Sequence, residues 1–139
     1  MKESFKFHHV GYAVKSIEKT LPFFNDLGYV SSNIYVDKIQ NVRVCLLNND
    51  QEVLIELVEG LDELNSPVCG FLNKIGITPY HICYTVDDID QAILKMRDRK
   101  YTLLFNPVPA AAFSSRKICY MFNHNIGLIE LLENEISSI

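Results

Sequence analysis

The four-residue segment Leu-Ile-Glu-Leu occurs twice in this chain, and each copy places a carboxylate inside an apolar run. The copies lie at residues 54–57 and 128–131. Because successive side chains of a β-strand face opposite sides, Glu56 and Glu130 would each share a strand face with apolar neighbours. A buried carboxylate must be paired, protonated or bound to a metal, since an unpaired buried charge is very costly. Two such glutamates in the same local sequence indicate a repeated structural unit.

The rest of the chain repeats with nearly the same spacing. An offset of 72 residues sets His9 against His81 without a gap, and an offset of 74 residues sets Glu56 against Glu130. The gapless match pairs His9, Tyr12, Val14, Ile17, Asp26 and Tyr29 with His81, Tyr84, Val86, Ile89, Asp98 and Tyr101. A half of roughly 70 residues buries little core alone, so the two halves are expected to act together.

Hydrophobic periodicity predicts the same element order in both halves, namely a strand, a helix and three strands. The predicted strands cover residues 5–14, 29–36, 42–47, 52–58, 79–86, 101–105, 116–122 and 127–132. We therefore predict an α+β fold of two tandem βαβββ modules. Each module is a curved four-stranded mixed sheet with one helix, and a cleft lies between the modules. Module 1 spans residues 5–59, a connection spans 60–76 and module 2 spans 77–133, all within a single domain of residues 1–139.

The boundaries of the two module helices follow from capping residues. Ser16 is the predicted N-cap of the first helix. Pro22 would be awkward in the interior of that helix and would suit a helix that begins later, with Thr20 as its cap. Asp88 is the predicted N-cap of the second helix, whose inner face carries Ile89, Ala92, Ile93 and Met96. Residues 106–116 are predicted to form a loop rich in proline and alanine.

Composition excludes several classes of protein. The net charge of −4 and the lack of a basic run argue against nucleic acid as a partner. No apolar run approaches the roughly 20 residues of a membrane-spanning helix. The first residues contain no apolar segment typical of a secretory signal, which predicts a cytoplasmic protein. Its cysteines form no Cys-x-x-Cys pair and are expected to be reduced thiols without disulfides: Cys45, Cys69, Cys83 and Cys119.

Each half contributes one histidine from its first strand and one glutamate from its last strand. Taken singly, such a histidine is more often a hydrogen-bonded core residue, and such a glutamate usually faces solvent. Imidazole nitrogen and carboxylate oxygen together suit Co, Ni, Zn, Mn or Fe, and pseudo-two-fold symmetry would bring the four side chains to one point. The predicted ligands of one divalent metal ion are His9, Glu56, His81 and Glu130. His8 has no counterpart in the second half, and Glu59 and Glu133, at strand ends, are expected to be exposed.

The repeated motifs resemble those of the vicinal oxygen chelate superfamily, over residues 6–133. They are His-Val-Gly at residues 9–11, Tyr-His-Ile at 80–82 and Ile-Glu-Leu at 55–57 and 129–131. That superfamily includes glyoxalase I, methylmalonyl-CoA epimerases, extradiol dioxygenases and antibiotic-resistance proteins. The resemblance implies the βαβββ fold and a metal centre that stabilises an enediolate after a proton is removed next to a carbonyl.

Among these enzymes, the likeness is greatest to the methylmalonyl-CoA epimerases. Gln-Asn-Val-Arg-Val at residues 40–44 is similar to their Gln-Gly-Val-Arg-Val, and His81 followed by Val-Asp-Asp-Ile at 86–89 matches the opening of their second half. Three segments differ from their pattern. Asn41 replaces a glycine, residues 112–116 replace a glycine-containing loop, and Asn-His-Asn at 123–125 replaces His-Pro-Lys.

The resemblance implies an isomerase or lyase in which a glutamate transfers the proton. Glu130 is the first candidate for this role and Glu56 is the second. The substrate would be a small anionic conjugate, either an acyl-CoA or a thiol hemithioacetal, and Arg43 and Arg116 are candidates to bind it. Three functions stay open: an epimerase, a lactoylglutathione lyase of the glyoxalase I type, and a small-molecule-binding protein without catalysis. Glu56 at the second ligand position is also typical of glyoxalase I. A homodimer is expected, with the modules paired within one chain or across two chains.

Overall fold

In the computed structural model, residues 4–50, 54–62 and 66–135 are described, and they form two compact units. The first unit is His9–Tyr80, and the second unit is His81–Ile139 together with Met1–His8. The predicted module boundaries and the single domain of residues 1–139 stay a prediction.

The first unit contains one mixed sheet and two helices. Its elements are β1 (Lys6–Ala13, whose first three residues belong to the second unit), α1 (Ile17–Asp26), β2 (Val30–Asp37), β3 (Val42–Asn48), β4 (Ile55–Gly60) and α2 (Pro67–Ile75). The strand order is β2-β3-β4-β1, with β1 parallel to β4 and the other neighbours antiparallel. The strand predicted at 52–58 is found from Ile55, and residues 52 and 53 lie outside the described part of the chain.

The second unit repeats the strand order of the first unit and has a helix equivalent to α1. Its elements are β5 (Thr78–Val86), α3 (Ile89–Asp98), β6 (Thr102–Leu103), β7 (Val108–Pro109), β8 (Lys117–Asn123) and β9 (Gly127–Glu133). The strand order is β5-β9-β8-β6, and β5 is parallel to β9. In the first unit Gly11 is the strand-pairing partner of Glu56. In the second unit Cys83 is the strand-pairing partner of Glu130. The predicted α+β fold of two βαβββ modules is therefore confirmed.

The segment before β8 differs from the prediction. The strand expected at 101–105 is only Thr102–Leu103, and the expected loop contains β7 and a 3-10 turn at Ala111–Phe113. Pro107 and Pro109 lack the N–H groups that continuous pairing requires, so the edge of the sheet is interrupted and pairs again only briefly.

The start of α1 also corrects one expectation. The helix begins at Ile17, immediately after Ser16, and Pro22 lies in its interior, so the later start capped by Thr20 is wrong. The Ser16 side chain accepts a hydrogen bond from the Lys19 N–H at 3.2 Å. Thr20 instead donates its hydroxyl to the Ser16 carbonyl at 2.7 Å. These bonds fix the first turn, and the helix tolerates a proline that cannot donate one hydrogen bond.

Glu59 and Glu133 are part of the fold rather than exposed strand ends. The Ile17 N–H donates to Glu59 Oε1 at 2.8 Å, and the Ile89 N–H donates to Glu133 Oε2 at 3.0 Å. The first N–H groups of a helix have no partner within the helix, and the helix dipole favours a negative charge there. Both carboxylates are half-buried, so the expectation that they face solvent was wrong. Each therefore joins the last strand of its module to the helix.

Replacing Glu133 by alanine is expected to lower the free energy of unfolding by about 1 kcal/mol, because it removes the side-chain acceptor at the start of α3. Urea unfolding followed by circular dichroism measures this change. Glu133→Gln retains an oxygen acceptor and should lose less, whereas Glu135→Ala, at an exposed position two residues later, should stay within about 0.5 kcal/mol. Equal losses for Glu133→Ala and Glu135→Ala would contradict the capping role.

Two segments that lack the expected glycine contain residues whose backbone angles are usual for glycine. Asn41 has φ +60°, and Ser114 and Ser115 have φ +55° and +65°. Asparagine tolerates the left-handed region better than other residues with a Cβ, and serine does so at some cost. Asn41 therefore preserves the turn before β3, so this difference from the epimerase pattern concerns backbone conformation.

The helices α1 and α3 each cover one face of the sheet in their own unit. In the first unit Val14, Ile17, Cys45, Leu47 and Leu57 form the buried cluster on that face. In the second unit the predicted inner residues of α3 are all buried, in a cluster that includes Ile89, Ala92, Ile93, Met96, Cys119, Ile129 and Leu131. Within the described residues none of the four cysteines forms a disulfide. The helices of this described part are also too short or too polar to cross a membrane.

Candidate metal centre

The strand pleat places the predicted ligands on the sheet face that the helix leaves uncovered. Leu57 packs with α1, so its neighbour Glu56 points to the other face. Ile129 and Leu131 likewise pack with α3, and Glu130 between them points away. The same alternation sets His9 and Glu56 on one face of the first sheet.

In the first unit the structure brings His9 beside Glu56. The distance from His9 Nε2 to Glu56 Oε1 is 3.4 Å. His9 has 0% of its surface exposed and Glu56 has 4%. The contact follows from the register of the parallel pair β1 and β4, because Glu56 lies opposite Gly11, two residues after His9 on the same face.

The second unit contains the equivalent pair. The distance from His81 Nε2 to Glu130 Oε1 is 3.1 Å, and the exposed fractions of the two residues are 3% and 2%. Glu130 lies opposite Cys83, two residues after His81, so the register is the same as in the first unit. Each unit thus holds one buried imidazole directly beside one buried carboxylate.

The surroundings of Glu130 disfavour a second negative charge. The thiol of Cys119 on β8 has its pKa raised to about 12, first because it is buried and second because the Glu130 charge is near. A neutral thiol avoids placing another anion beside the carboxylate. The Cys119 thiol therefore stays neutral and adds no second negative charge near Glu130.

Tyr120 is a site residue that sequence reasoning missed. Its ring meets that of His81 edge-on, with centroids 5.3 Å apart, and it is the strand partner of Glu130. Leu46 is the strand partner of Glu56, so the two units differ at this position. Counting the antiparallel register from the turn at Asn123–Asn125 could have identified Tyr120, because pairing partners share a sheet face.

The other candidates occupy different surroundings. His8 is half-buried and makes an edge contact with the Phe113 ring, with centroids 5.3 Å apart. Arg43 bonds to Glu59 at 3.2 Å and to Glu18, and its hydrogen bond is the main reason that the pKa of Glu18 is lowered. Arg43 and Glu59 lie on the helix side of the first sheet, opposite to Glu56.

Arg116 occupies a comparable place in the second unit. Its Nε donates a hydrogen bond to the Glu133 carbonyl oxygen at 2.9 Å, and the residue is half-buried. Both arginines are thus held beside the glutamates that cap the helices. Substrate binding by Arg43 and Arg116 stays a prediction, and the structure gives each of them a structural contact as well.

The donor set fits a divalent transition metal. Each pair offers an imidazole nitrogen and a carboxylate oxygen, which are ligands for Zn, Co, Ni, Mn and Fe. Burying a carboxylate and an imidazole is costly unless they are paired or ligate a metal. The repetition of the pair at the same register is the feature that a metal centre would explain.

Comparison with known proteins identifies the class. Residues 8–120 match the model of the Glyoxalase/Bleomycin resistance protein/Dioxygenase superfamily. The chain belongs to this superfamily, also called the vicinal oxygen chelate superfamily, as its motifs predicted.

Similar proteins show which members of the superfamily this chain resembles. The chain is 33% identical over 134 residues to the mitochondrial methylmalonyl-CoA epimerase of Homo sapiens, covering 91% of this chain and 72% of the human protein. A crystal structure of methylmalonyl-CoA epimerase from Mycobacterium tuberculosis is 25% identical with a TM-score of 0.82, covering 94% of this chain and 88% of that one. A hypothetical protein from Bacillus halodurans is 28% identical with a TM-score of 0.84, covering 98% and 99%. The chain is an epimerase-like member of the superfamily.

Proposed function

We propose that the chain is a divalent-metal-dependent isomerase that moves a proton on the carbon next to the carbonyl of an acyl-CoA, with methylmalonyl-CoA as the first substrate to test. The observation that carries this proposal is the pair of buried His–Glu contacts at 3.4 and 3.1 Å, one in each module at equivalent register. The similarity to named methylmalonyl-CoA epimerases supports the substrate.

The proposal assigns one ion to both pairs. His9, Glu56, His81 and Glu130 would hold it, with two nitrogen and two oxygen ligands. When bound, such an ion would polarise the substrate carbonyl and make the neighbouring C–H bond more acidic. With Glu130 ionised, Glu56 protonated and both imidazoles neutral, the +2 ion would leave one net positive charge at the site. That charge would suit the negative charge that develops on the substrate oxygen.

The glutamates supply the proton transfer. Epimerisation removes a proton from one side of a carbon and returns a proton to the other side, so it needs a base and an acid on opposite sides. Glu130 as a carboxylate would take the proton, and Glu56 as a carboxylic acid would return one. After one turnover Glu130 holds the proton and Glu56 has lost one, so the site is ready for the reverse reaction.

Exchange of the substrate α-proton with deuterated water tests the function. Metal-loaded protein is mixed with either epimer of methylmalonyl-CoA, and deuterium uptake and inversion are followed by NMR and chiral analysis. We expect inversion with deuterium incorporated at the α-carbon. A glutathione hemithioacetal, assayed for isomerisation to a thioester, is the matched alternative substrate.

The alternatives predict different results in the same assay. Turnover of the hemithioacetal alone would favour a lactoylglutathione lyase. Tight binding of an acyl-CoA without exchange or inversion would favour a binding protein without catalysis. Either result would contradict the epimerase proposal. The homodimer stays a prediction, which sedimentation of the metal-loaded protein would measure.

A further inference from the structure

The second unit contains a cavity on the side of its sheet opposite to His81 and Glu130. Its volume is about 280 Å³, and it lies beside α3. Met96 of α3 and Ile129 of β9 line it, and both belong to the buried cluster on the helix side. Because Glu130 points to the other face, the cavity is separate from the proposed metal ligands.

The walls of the cavity are mostly apolar and aromatic. Phe5 and Tyr84 contribute rings, and Ile126, in the turn before β9, contributes an exposed aliphatic side chain. Met96 and Ile129 are 7% and 4% exposed and form the floor of the cavity, so a ligand would cover mainly the more exposed side chains around them. Such a cavity suits the apolar body of a small molecule, since burying apolar surface is favourable.

Two cations stand at the same cavity. Lys95 lies in α3, and Arg99 is the residue that follows the end of this helix. Because they are four residues apart, their side chains lie on one side of the helix. The Lys95 ammonium lies 5.5 Å from the centre of the Phe5 ring. Among the described residues, no carboxylate forms an ion pair with Lys95 or Arg99. This local positive charge contrasts with the net charge of −4 of the whole chain.

The size of the cavity restricts its ligand. Ligand pockets for drug-sized molecules are usually about 300–1,000 Å³. This cavity is slightly smaller than that range. A compact apolar group with one anionic group matches both the volume and the two cations. The carboxyl end of α3 adds no attraction for an anion, because the helix dipole is negative there, so the side chains must supply it.

We propose that this cavity is a binding site for a small monocarboxylate with an apolar body, such as a short acyl or aryl acid. The apolar part contacts Met96, Ile129 and Tyr84, and the carboxylate lies between Lys95 and Arg99. The site is independent of the proposed epimerase function, because none of its residues is a proposed metal ligand or proton-transfer residue.

Titration of the ¹⁵N-labelled full chain with hexanoate and with 1-hexanol tests the proposal. The two probes share a six-carbon chain and differ in charge. Hexanoate should shift the amide signals of Met96, Ile126 and Ile129 with an affinity of about millimolar, as expected for so small a ligand. 1-Hexanol should bind more weakly at the same residues. Higher salt should weaken hexanoate binding and leave hexanol binding unchanged.

Single substitutions test whether the two cations hold the carboxylate. Lys95→Gln and Arg99→Gln should each weaken hexanoate binding roughly two- to fivefold, the usual range for an exposed charge pair. Arg97→Gln, on the same helix but outside the cavity lining, is the matched control and should have no effect. Removal of metal with a chelator should leave hexanoate binding unchanged.

Each of four results would overturn the proposal. Equal affinity for hexanoate and 1-hexanol would show that the cations play no part. Shifts confined to residues around Glu56 and Glu130 would place the carboxylate at the metal ligands instead. The absence of any shift at concentrations of tens of millimolar would remove the site. A concentration-dependent rise in the sedimentation coefficient, with the same amides shifted and no hexanoate effect, would assign the cavity to a second copy of the chain.

Discussion

If Glu130 is the general base of the proposed epimerase reaction, replacing it by glutamine should reduce turnover roughly 10²–10⁴-fold, the usual loss when such a base is removed. Glutamine keeps the size of the side chain and one oxygen donor but cannot accept the proton. Metal binding should therefore weaken but stay detectable. The measurement is α-proton exchange and inversion in deuterated water, with metal content determined on the same samples.

The two glutamates can be told apart with separate epimers. If Glu130 and Glu56 act on opposite sides of the carbon, Glu130→Gln should lose exchange from one epimer and Glu56→Gln from the other, while inversion fails in both. Glu135→Gln, at an exposed position, serves as the control. Undiminished exchange from both epimers in Glu130→Gln, with metal still bound, would reject Glu130 as the base and move that role to Glu56.

Removing either proposed imidazole ligand is expected to abolish metal binding. His9 lies in the first unit and His81 lies in the second. If one ion is bound by both histidines, either alanine variant should lose it. Elemental analysis after dialysis should give one divalent ion per chain for the unaltered protein and close to none for His9→Ala or His81→Ala. Ligand distances in the loaded protein should be about 2.0–2.2 Å, as for zinc with nitrogen and oxygen ligands.

His8→Ala is the matched control, since His8 is adjacent in sequence and contacts the Phe113 ring. It should retain the metal. Loss of the ion from His8→Ala together with its retention in His9→Ala would show that the strand register is wrong by one residue. Two ions per chain, with each histidine variant losing one, would contradict a single shared centre.

The order of strands and helices could be predicted because it follows from local sequence patterns that do not depend on tertiary packing. The period-2 alternation identified the strands, and Asp88 followed by apolar residues at helical spacing identified α3 with its inner face. Pro22 misled the prediction for α1, because the cost of a proline in a helix was offset by contacts at Ser16 and Glu59. Those contacts involve residues up to 42 positions apart, and local propensity does not include them.

The amino-acid sequence by itself determined the repeat, the strand–helix order and the four candidate ligands, since these follow from spacing and from side-chain chemistry. Only the tertiary structure decided which groups touch. It set His9 beside Glu56 and His81 beside Glu130, assigned Glu59 and Glu133 to the helix starts, and placed Tyr120 next to His81. The physical reason is that strand pairing joins residues distant in the chain, and its register is set by the burial of whole sheet faces rather than by any one segment.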